Sequence, residues 1–411
     1  MHYISCLMLS VTLVAACNSL AKKPPQNVSK TTKDIEVVLQ PISSSVEDGV
    51  GCFKSLEEAR INDATNLQHA QFLDPNTGWV ASKESLFKTT NGGKTWQQLN
   101  VNIPAESSIT SFFFTSKETG WLAVVSKIEE EGFSSRLLVT NDGGNTWTER
   151  QSFPNEVEVN VVRFQDAKTG FVAGSKTVKR GTLILEIFLT RTTDGGASWT
   201  DLSARINLTI TNRFGVATGS VYDIVFTEPS RIHLLTGDGT VGVSLDAGKS
   251  WKKTAHFTDS RPQTGYRKLI VNAQQLSLLG GTISQEGIWG DVILSMANNA
   301  WVTYEIDNLG LFDAEFLSAT EILMSGGAFR GSTDWSGSHY YGRKLPGVIL
   351  RSFDNGKSWI EIYRGKTNQP IIELIKVGPT QIYAIGNDGA FLKFELQTCS
   401  AASKVAKVHY R

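Results

Sequence analysis

Side chains able to do chemistry are plentiful in this chain, but few stand in a pattern that chemistry requires. Asp and Glu together number 40 of 411 residues. Cleavage of a glycosidic bond needs two of them facing each other across a substrate, and none is set apart by its neighbours in the sequence. The serines lack the Gly-x-Ser-x-Gly turn that exposes a nucleophile, and no stretch has the full spacing of a phosphate-binding Gly-Lys-Ser/Thr loop. The six histidines are scattered, without a His-x-x-x-His pair. Asp354-Asn-Gly opens like a calcium loop but lacks the ligand spacing and the closing Glu. Neither a metal nor a cofactor is expected, and no catalytic residue stands out. What remains is recognition chemistry. Trp, Tyr and Arg anchor binding surfaces, and they gather in Arg213, Phe214, Arg261, Tyr266, Arg267 and Trp289, and in the stretch 326–346 with Phe329, Arg330, Asp334, Trp335, His339, Tyr340, Tyr341 and Arg343. Those residues read either as a partner or glycan patch or as a self-packed loop over the mouth of the fold.

A repeat must position these residues. Ser/Thr-x-Asp/Asn-x-Gly-x-Ser/Thr-Trp occurs at Asn91 and Trp96, Asp142 and Trp147, Asp194 and Trp199, Asp246 and Trp251, and Asp354 and Trp359. Successive tryptophans from Trp96 to Trp251 lie 51, 52 and 52 residues apart, and Ser295 to Trp301 reads as a decayed sixth copy. A period near 50 residues signals an array of similar supersecondary units. Each copy reads as the tip of a β-hairpin. The Asp or Asn closes an Asx-turn, the Gly supplies a positive φ, and the Trp begins the next strand with a large apolar ring. This structural role is the one expected of the motif.

Strand-turn-strand openings precede the tips, as in Gln71 to Trp79, Phe113 to Trp121 and Arg163 to Phe171. Seven such openings with four short strands per unit predict an all-β, seven-bladed β-propeller of antiparallel blades. The last unit, 371–396, has only about three strands and no tip motif, so an N-terminal strand is expected to complete it. Ile35 to Ile42 is the segment assigned, while Glu57 to Ile61 reads as a short helix or turn. Cys52 and Cys399 flank the array. Ring closure would bring them together as a disulfide in an oxidising compartment, the alternative being two free buried thiols.

The hairpin motif resembles the Asp-box, or bacterial neuraminidase repeat, of sialidases, xyloglucan-degrading glycosidases, sortilin-type receptors and photosystem II stability/assembly factors. Thr89 to Trp96 and Arg191 to Trp199 are most similar to the assembly-factor group, and the resemblance covers roughly 60–397. It implies the propeller fold, with the boxes between third and fourth strands on one rim. It is weak for function, because one fold hosts unrelated activities. A sialidase would carry an Arg-Ile-Pro motif before its first box, whereas this chain has Arg60-Ile61-Asn62.

Residues 1–16 read as a signal peptide, apolar over 4–16 and ending in small residues. Val14-Ala-Ala-Cys17 resembles a bacterial lipobox, which implies lipidation of Cys17. An ordinary signal peptide cut nearby is the alternative, and the n-region carries no Lys or Arg. Residues 17–34 form a polar tether, 35–400 the propeller and 401–411 a tail. Lys and Arg total 40 against 40 Asp and Glu, and this balance argues against a nucleic-acid binder. Two functions stay open. One is a monomeric, non-enzymatic lipoprotein of the bacterial cell envelope that binds a protein partner as a scaffold or assembly factor. The other is a secreted or anchored glycoside hydrolase or glycan-binding propeller of the sialidase or xyloglucanase type.

Overall fold

Short runs of β-branched and aromatic residues, punctuated by Gly, Asp and Asn, leave strands and tight turns as the structure open to this chain. The structure is a computed structural model. It describes residues 34–36, 40–41 and 52–398, except 63, 65–66, 129–131, 180–183, 207, 209–218, 257–263, 273–275, 285–286, 296–300, 308, 328–345 and 368. Residues Met1–Thr31 separate from Thr32–Arg411 as a unit of their own. The expected signal peptide, Cys17, most of the tether and the 401–411 tail lie outside the described residues.

The described elements are strands and two three-residue 3-10 turns. The strands form seven antiparallel sheets of four or five strands. Their first strands are His69–Phe72, Ser107–Phe114, Val157–Phe164, Val221–Phe226, Thr264–Val271, Gly310–Phe316 and Ile371–Lys376. Each first strand packs against that of the next sheet, and Ile371–Lys376 packs against His69–Phe72. This is an all-β propeller of antiparallel four-stranded blades.

The core explains the arrangement. Buried apolar side chains fall into clusters that each lie between two neighbouring sheets. Trp79, Leu86 and Leu99 pack on Phe112 and Leu122 between the first two, and Trp121 and Leu137 pack on Val159 and Phe188 between the next two. Phe87 and Trp96 of the first sheet meet Tyr383 and Phe391 of the last. A strand with an inward row of large residues on both faces needs such a neighbour on each side, which a stack closed on itself provides.

The N-terminal segment departs from expectation. The last sheet takes its fourth strand from Phe53–Arg60, paired antiparallel to Ala390–Leu396 from Phe53 opposite Leu396 to Arg60 opposite Ala390. This is the stretch whose Glu57 to Ile61 portion reads as a helix or turn in the sequence. Within 35–42 the strand residues are Ile35 and Glu36, in Asp34–Glu36, and Gln40–Pro41. The first piece pairs with Thr95–Leu99 of the first sheet and the second with Phe53–Arg60. The reason is positional. An outer strand has one solvated face, so Lys54, Glu57, Glu58 and Arg60 erase the apolar alternation, and pairing with Ala390–Leu396 overrides their helical preference.

Candidate functional site

The repeated hairpins are self-contained hydrogen-bond units. The Thr192 hydroxyl donates to Asp194 Oδ1 at 2.8 Å, and its oxygen accepts the Gly196 N–H at 2.8 Å. Asp194 accepts the Ser198 N–H at 2.9 Å and the Ser198 hydroxyl at 2.6 Å. The same bonds recur around Asp142, Asp246 and Asp354. Asn91 reproduces them with its amide donating to Thr95 Oγ1 at 2.8 Å. The hydroxyl four residues on, with the backbone N–H bonds, holds Asp142, Asp194 and Asp246 at about 2, well below the usual carboxylate range. Such carboxylates are poor proton carriers near neutrality. A further backbone bond ties each tip to the first hairpin of its own sheet, as from Gly195 N–H to Lys168 O at 2.9 Å.

Ser295 and Trp301 of the decayed copy are opposite each other in the pairing of Gly287–Ser295 with Trp301–Asp307. The numbering puts five residues between them, against six between the corresponding Ser352 and Trp359.

At the other end the first strands surround a cavity of about 220 Å³. Six of them carry a β-bulge at the same place, and the bulged residues are Thr110, Asn160, Tyr222, Arg267, Phe312 and Ile372. A bulge re-aims side chains, and all six residues line the cavity. The residue after each bulge is Ser111, Val161, Asp223, Lys268, Asp313 or Glu373, and His69 holds this position in the first sheet. Asp313, Glu373 and His69 pair with Ser325, Ile385 and Ala81, within two residues of the ends of the second strands. The cavity therefore opens at the end where loops join second to third strands, opposite the repeated tips.

This ring of positions stitches sheet to sheet. Ser111 Oγ accepts the N–H of Val162 at 3.0 Å, Asp223 that of Leu269 at 2.9 Å, Asp313 that of Leu374 at 2.8 Å, and Glu373 that of Ala70 at 2.5 Å. Every one of these bonds runs from a sheet to the next around the ring. Lys268 Nζ lies 2.5 Å from Asp313 and 3.8 Å from Glu373, and His69 Nδ1 lies 2.9 Å from Glu373. Burial pushes Asp313 up to about 6, against the pull of Lys268. Burial, then the nearby Asp313 charge, pushes Glu315 up to about 7. Burial would also raise Glu373, but His69 and Lys268 hold it below its ordinary value. The Lys268 ammonium is favoured because Asp313, Glu373 and Glu315 outweigh its own burial. Among the described residues no group of three or more His, Cys, Asp and Glu is placed to hold a metal ion.

With this geometry in view, known proteins supply a context. The chain is 23% identical over 246 residues to the Photosystem II assembly lipoprotein Ycf48 of Synechococcus sp. (strain CC9902), covering 57% of this chain and 64% of that protein. It thus spans less than two thirds of that relative's length. It is 22% identical over 355 residues to the Photosystem II stability/assembly factor HCF136, chloroplastic, of Oryza sativa subsp. japonica, covering 78% of this chain and 76% of that one. Among solved structures it resembles YCF48 bound to D1 peptide, with a TM-score of 0.58 at 17% identity over 83% of this chain and 97% of the other. It also resembles the GH74 xyloglucanase of Xanthomonas campestris, with a TM-score of 0.55 at 15% identity over 90% of this chain and 55% of the other. These structural likenesses bear on the fold. No protein-family profile matches the chain.

The structure places the sequence-derived patch unevenly. Arg213, Phe214, Arg261, and the loop residues Arg330, Trp335, His339, Tyr340, Tyr341 and Arg343 lie outside the described residues. Tyr266 and Trp289 sit on the strands Thr264–Val271 and Gly287–Ser295, with their side chains outside the described set. Arg267 lines the cavity, its guanidinium 6.0 Å from the centre of the Phe312 ring. Gly327, which precedes the 328–345 segment, ends the strand paired with Gly310–Phe316, at the cavity end. Cys52 is disulfide-bonded, and Cys399 lies outside the described residues. Sequence reading missed the ring itself. Its signal was a polar or charged residue three before the end of an apolar first strand, as in Val221-Tyr-Asp223-Ile-Val-Phe226 and Leu311-Phe-Asp313-Ala-Glu-Phe316.

Proposed function

We propose that this chain is a non-enzymatic lipoprotein of the bacterial cell envelope, lipidated at Cys17. Its seven-bladed Asp-box propeller acts as a monomeric, protein-binding scaffold or assembly factor. The observation that carries this reading is the similarity to two photosystem II assembly factors, one of them named a lipoprotein. A related solved propeller is described as holding a peptide. In this chain the acidic residues of the repeated tips are engaged within their own turns, which leaves the cavity end, with its loops, as the end for recognition.

Photo-crosslinking in intact cells tests the reading. A crosslinker at Tyr222, 47% exposed at the cavity mouth, is expected to capture a discrete protein, and one at Leu245, 61% exposed at a repeated tip, is not. No adduct at Tyr222 would sink the proposal. Globomycin or Cys17→Ala should leave an unprocessed precursor, and mature protein of unchanged mass and solubility would refute the anchor.

The likeness to a xyloglucanase keeps a glycoside hydrolase, or a glycan-binding propeller of that kind or of the sialidase kind, as the second reading. Against it, the cavity carboxylates Asp223 and Glu373 are tied to backbone N–H groups of the next sheet, as is the fully buried Asp313. Release of reducing ends from xyloglucan, or of sialic acid from a sialoside, would favour that reading.

A further inference from the structure

The bulges and the stitching ring together divide the groups at the cavity into engaged and available ones. The engaged ones are the acids. Asp223 accepts two backbone N–H bonds, from Ile224 and Leu269, both at 2.9 Å. Glu373 accepts the Ala70 N–H and contacts His69 and Lys268. Lys268 is consumed in the same network by Asp313. The available groups are cationic and polar. Arg163 gives one N–H to Val162 O at 3.2 Å, and its closest approach to Asp223 is 3.9 Å, beyond hydrogen-bond reach. A guanidinium has five N–H donors, and among the described residues most of those of Arg163 are unspent. Arg267 is exposed, and among the described residues its contact is the face of Phe312. Asn160 spends its amide N–H on Ser220 Oγ at 2.9 Å, which leaves its carbonyl oxygen fixed beside the cavity.

We propose that this cavity binds a small organic carboxylate, held between the guanidinium groups of Arg163 and Arg267 and walled by Tyr222 and Phe312. Charge favours an anion, since Arg163 and Arg267 are the lining cations left uncommitted, whereas Lys268 is engaged with Asp313 and Glu373. The planar fork of Arg matches a carboxylate in a bidentate pair, whereas the aromatic walls suit the carbon skeleton of an organic acid and not a bare inorganic ion. The volume, about 220 Å³, suits a small molecule. Rigidity comes from bonds on both sides of the fourth sheet: Asn160 beside Arg163 bonds Ser220 just before the fourth sheet, and Asp223 of that sheet accepts the N–H of Leu269, two residues from Arg267. This site lies at the end proposed for protein binding and shares Tyr222 with it, but it is tested on the free protein, so either reading holds if the other fails.

Calorimetric titration of the full exported protein with citrate and with succinate tests the site, with chloride at matched ionic strength and inorganic phosphate as references. Saturable one-site heat with a carboxylate is expected. It should weaken about tenfold or more in Arg267→Gln, the loss of a charge-assisted bidentate contact. Arg163→Gln should weaken it similarly. Because Arg163 lies near buried Asp223, the exposed Arg267→Gln variant is the deciding one, measured beside its melting temperature. No saturable heat with either acid overturns the proposal, as does unchanged affinity in Arg267→Gln at wild-type melting. Phosphate binding as tightly as citrate would overturn the carboxylate assignment.

Discussion

Glu373, in the last sheet, accepts the backbone N–H of Ala70, in the first sheet, at 2.5 Å. The two residues are 303 positions apart in the sequence, and the bond spans the seam between the last sheet and the first. The same carboxylate faces His69 and Lys268. Glu373→Ala would leave one buried donor unsatisfied and both His69 and Lys268 short of a partner. A loss of about 3 kcal/mol is expected, the range for breaking a buried, hydrogen-bonded charge network. Urea denaturation measures it. A loss below about 1 kcal/mol would mean that the bond does not hold the two sheets together.

Glu315 gives the opposite sign. Its folded-state value of about 7 stands above the ordinary 4.5, first because it is buried and next because Asp313 is near. The folded state therefore holds a proton that the unfolded chain releases. The stability tied to this proton is fully present below about 4.5 and is lost as pH rises through 7. Glu315→Gln should match wild type near pH 4.5 and exceed it at pH 8 by about 2 kcal/mol. Denaturation curves at the two pH values decide this, and a variant weaker than wild type at pH 8 would contradict the assignment.

The repeated tips were legible in the sequence because turn chemistry is local. Thr192, Asp194, Gly196 and Ser198 bond one another within seven residues, and spacing alone reveals the motif. The strand pairings were legible to the extent that apolar alternation survives. Phe53–Arg60 failed that test because an outer strand buries little, and its partner Ala390–Leu396 is more than 300 residues away. The stitching ring was hidden for another reason. Asp223, Asp313 and Glu373 are charged residues in largely apolar strands, and their role depends on a neighbour that the sequence does not place beside them.

The tips also carry a prediction about backbone strain. Gly196 has φ of +81°, and a Cβ there would lie 2.1 Å from Trp121 Cη2 of the preceding sheet. Gly196→Ala should cost about 2 kcal/mol or more, since it adds both strain and overpacking. Ala247 holds the equivalent of Gly195 at φ 58°, a conformation that costs an L-residue about 1 kcal/mol. Ala247→Gly should raise stability by up to about 1 kcal/mol, reduced by the greater freedom of glycine when unfolded. Thermal melts of the two variants should shift in opposite directions, and a destabilised Ala247→Gly would refute the strain account.

We propose a covalent partner for Cys52 from the strand register. Phe53 pairs with Leu396, and Gln397 donates its N–H to Cys52 O at 2.9 Å. The chain just past Leu396 therefore runs beside the chain just before Phe53. Cys52 is disulfide-bonded, the sequence has four cysteines, and Cys399, two positions after Gln397 in the sequence, is the partner we propose. Cys6 would leave with a signal peptide, and Cys17 would be occupied by lipid. Non-reducing peptide mapping of the exported protein should recover Cys52 joined to Cys399. A bond closing so long a loop contributes up to about 5 kcal/mol in the chain-entropy picture. Reduction, or Cys399→Ser, should lower the melting temperature and expose the N-terminal segment to protease first, because Phe53–Arg60 is held to its sheet beside that link. Recovery of Cys399 as a free, alkylatable thiol in the unreduced protein would refute the pairing.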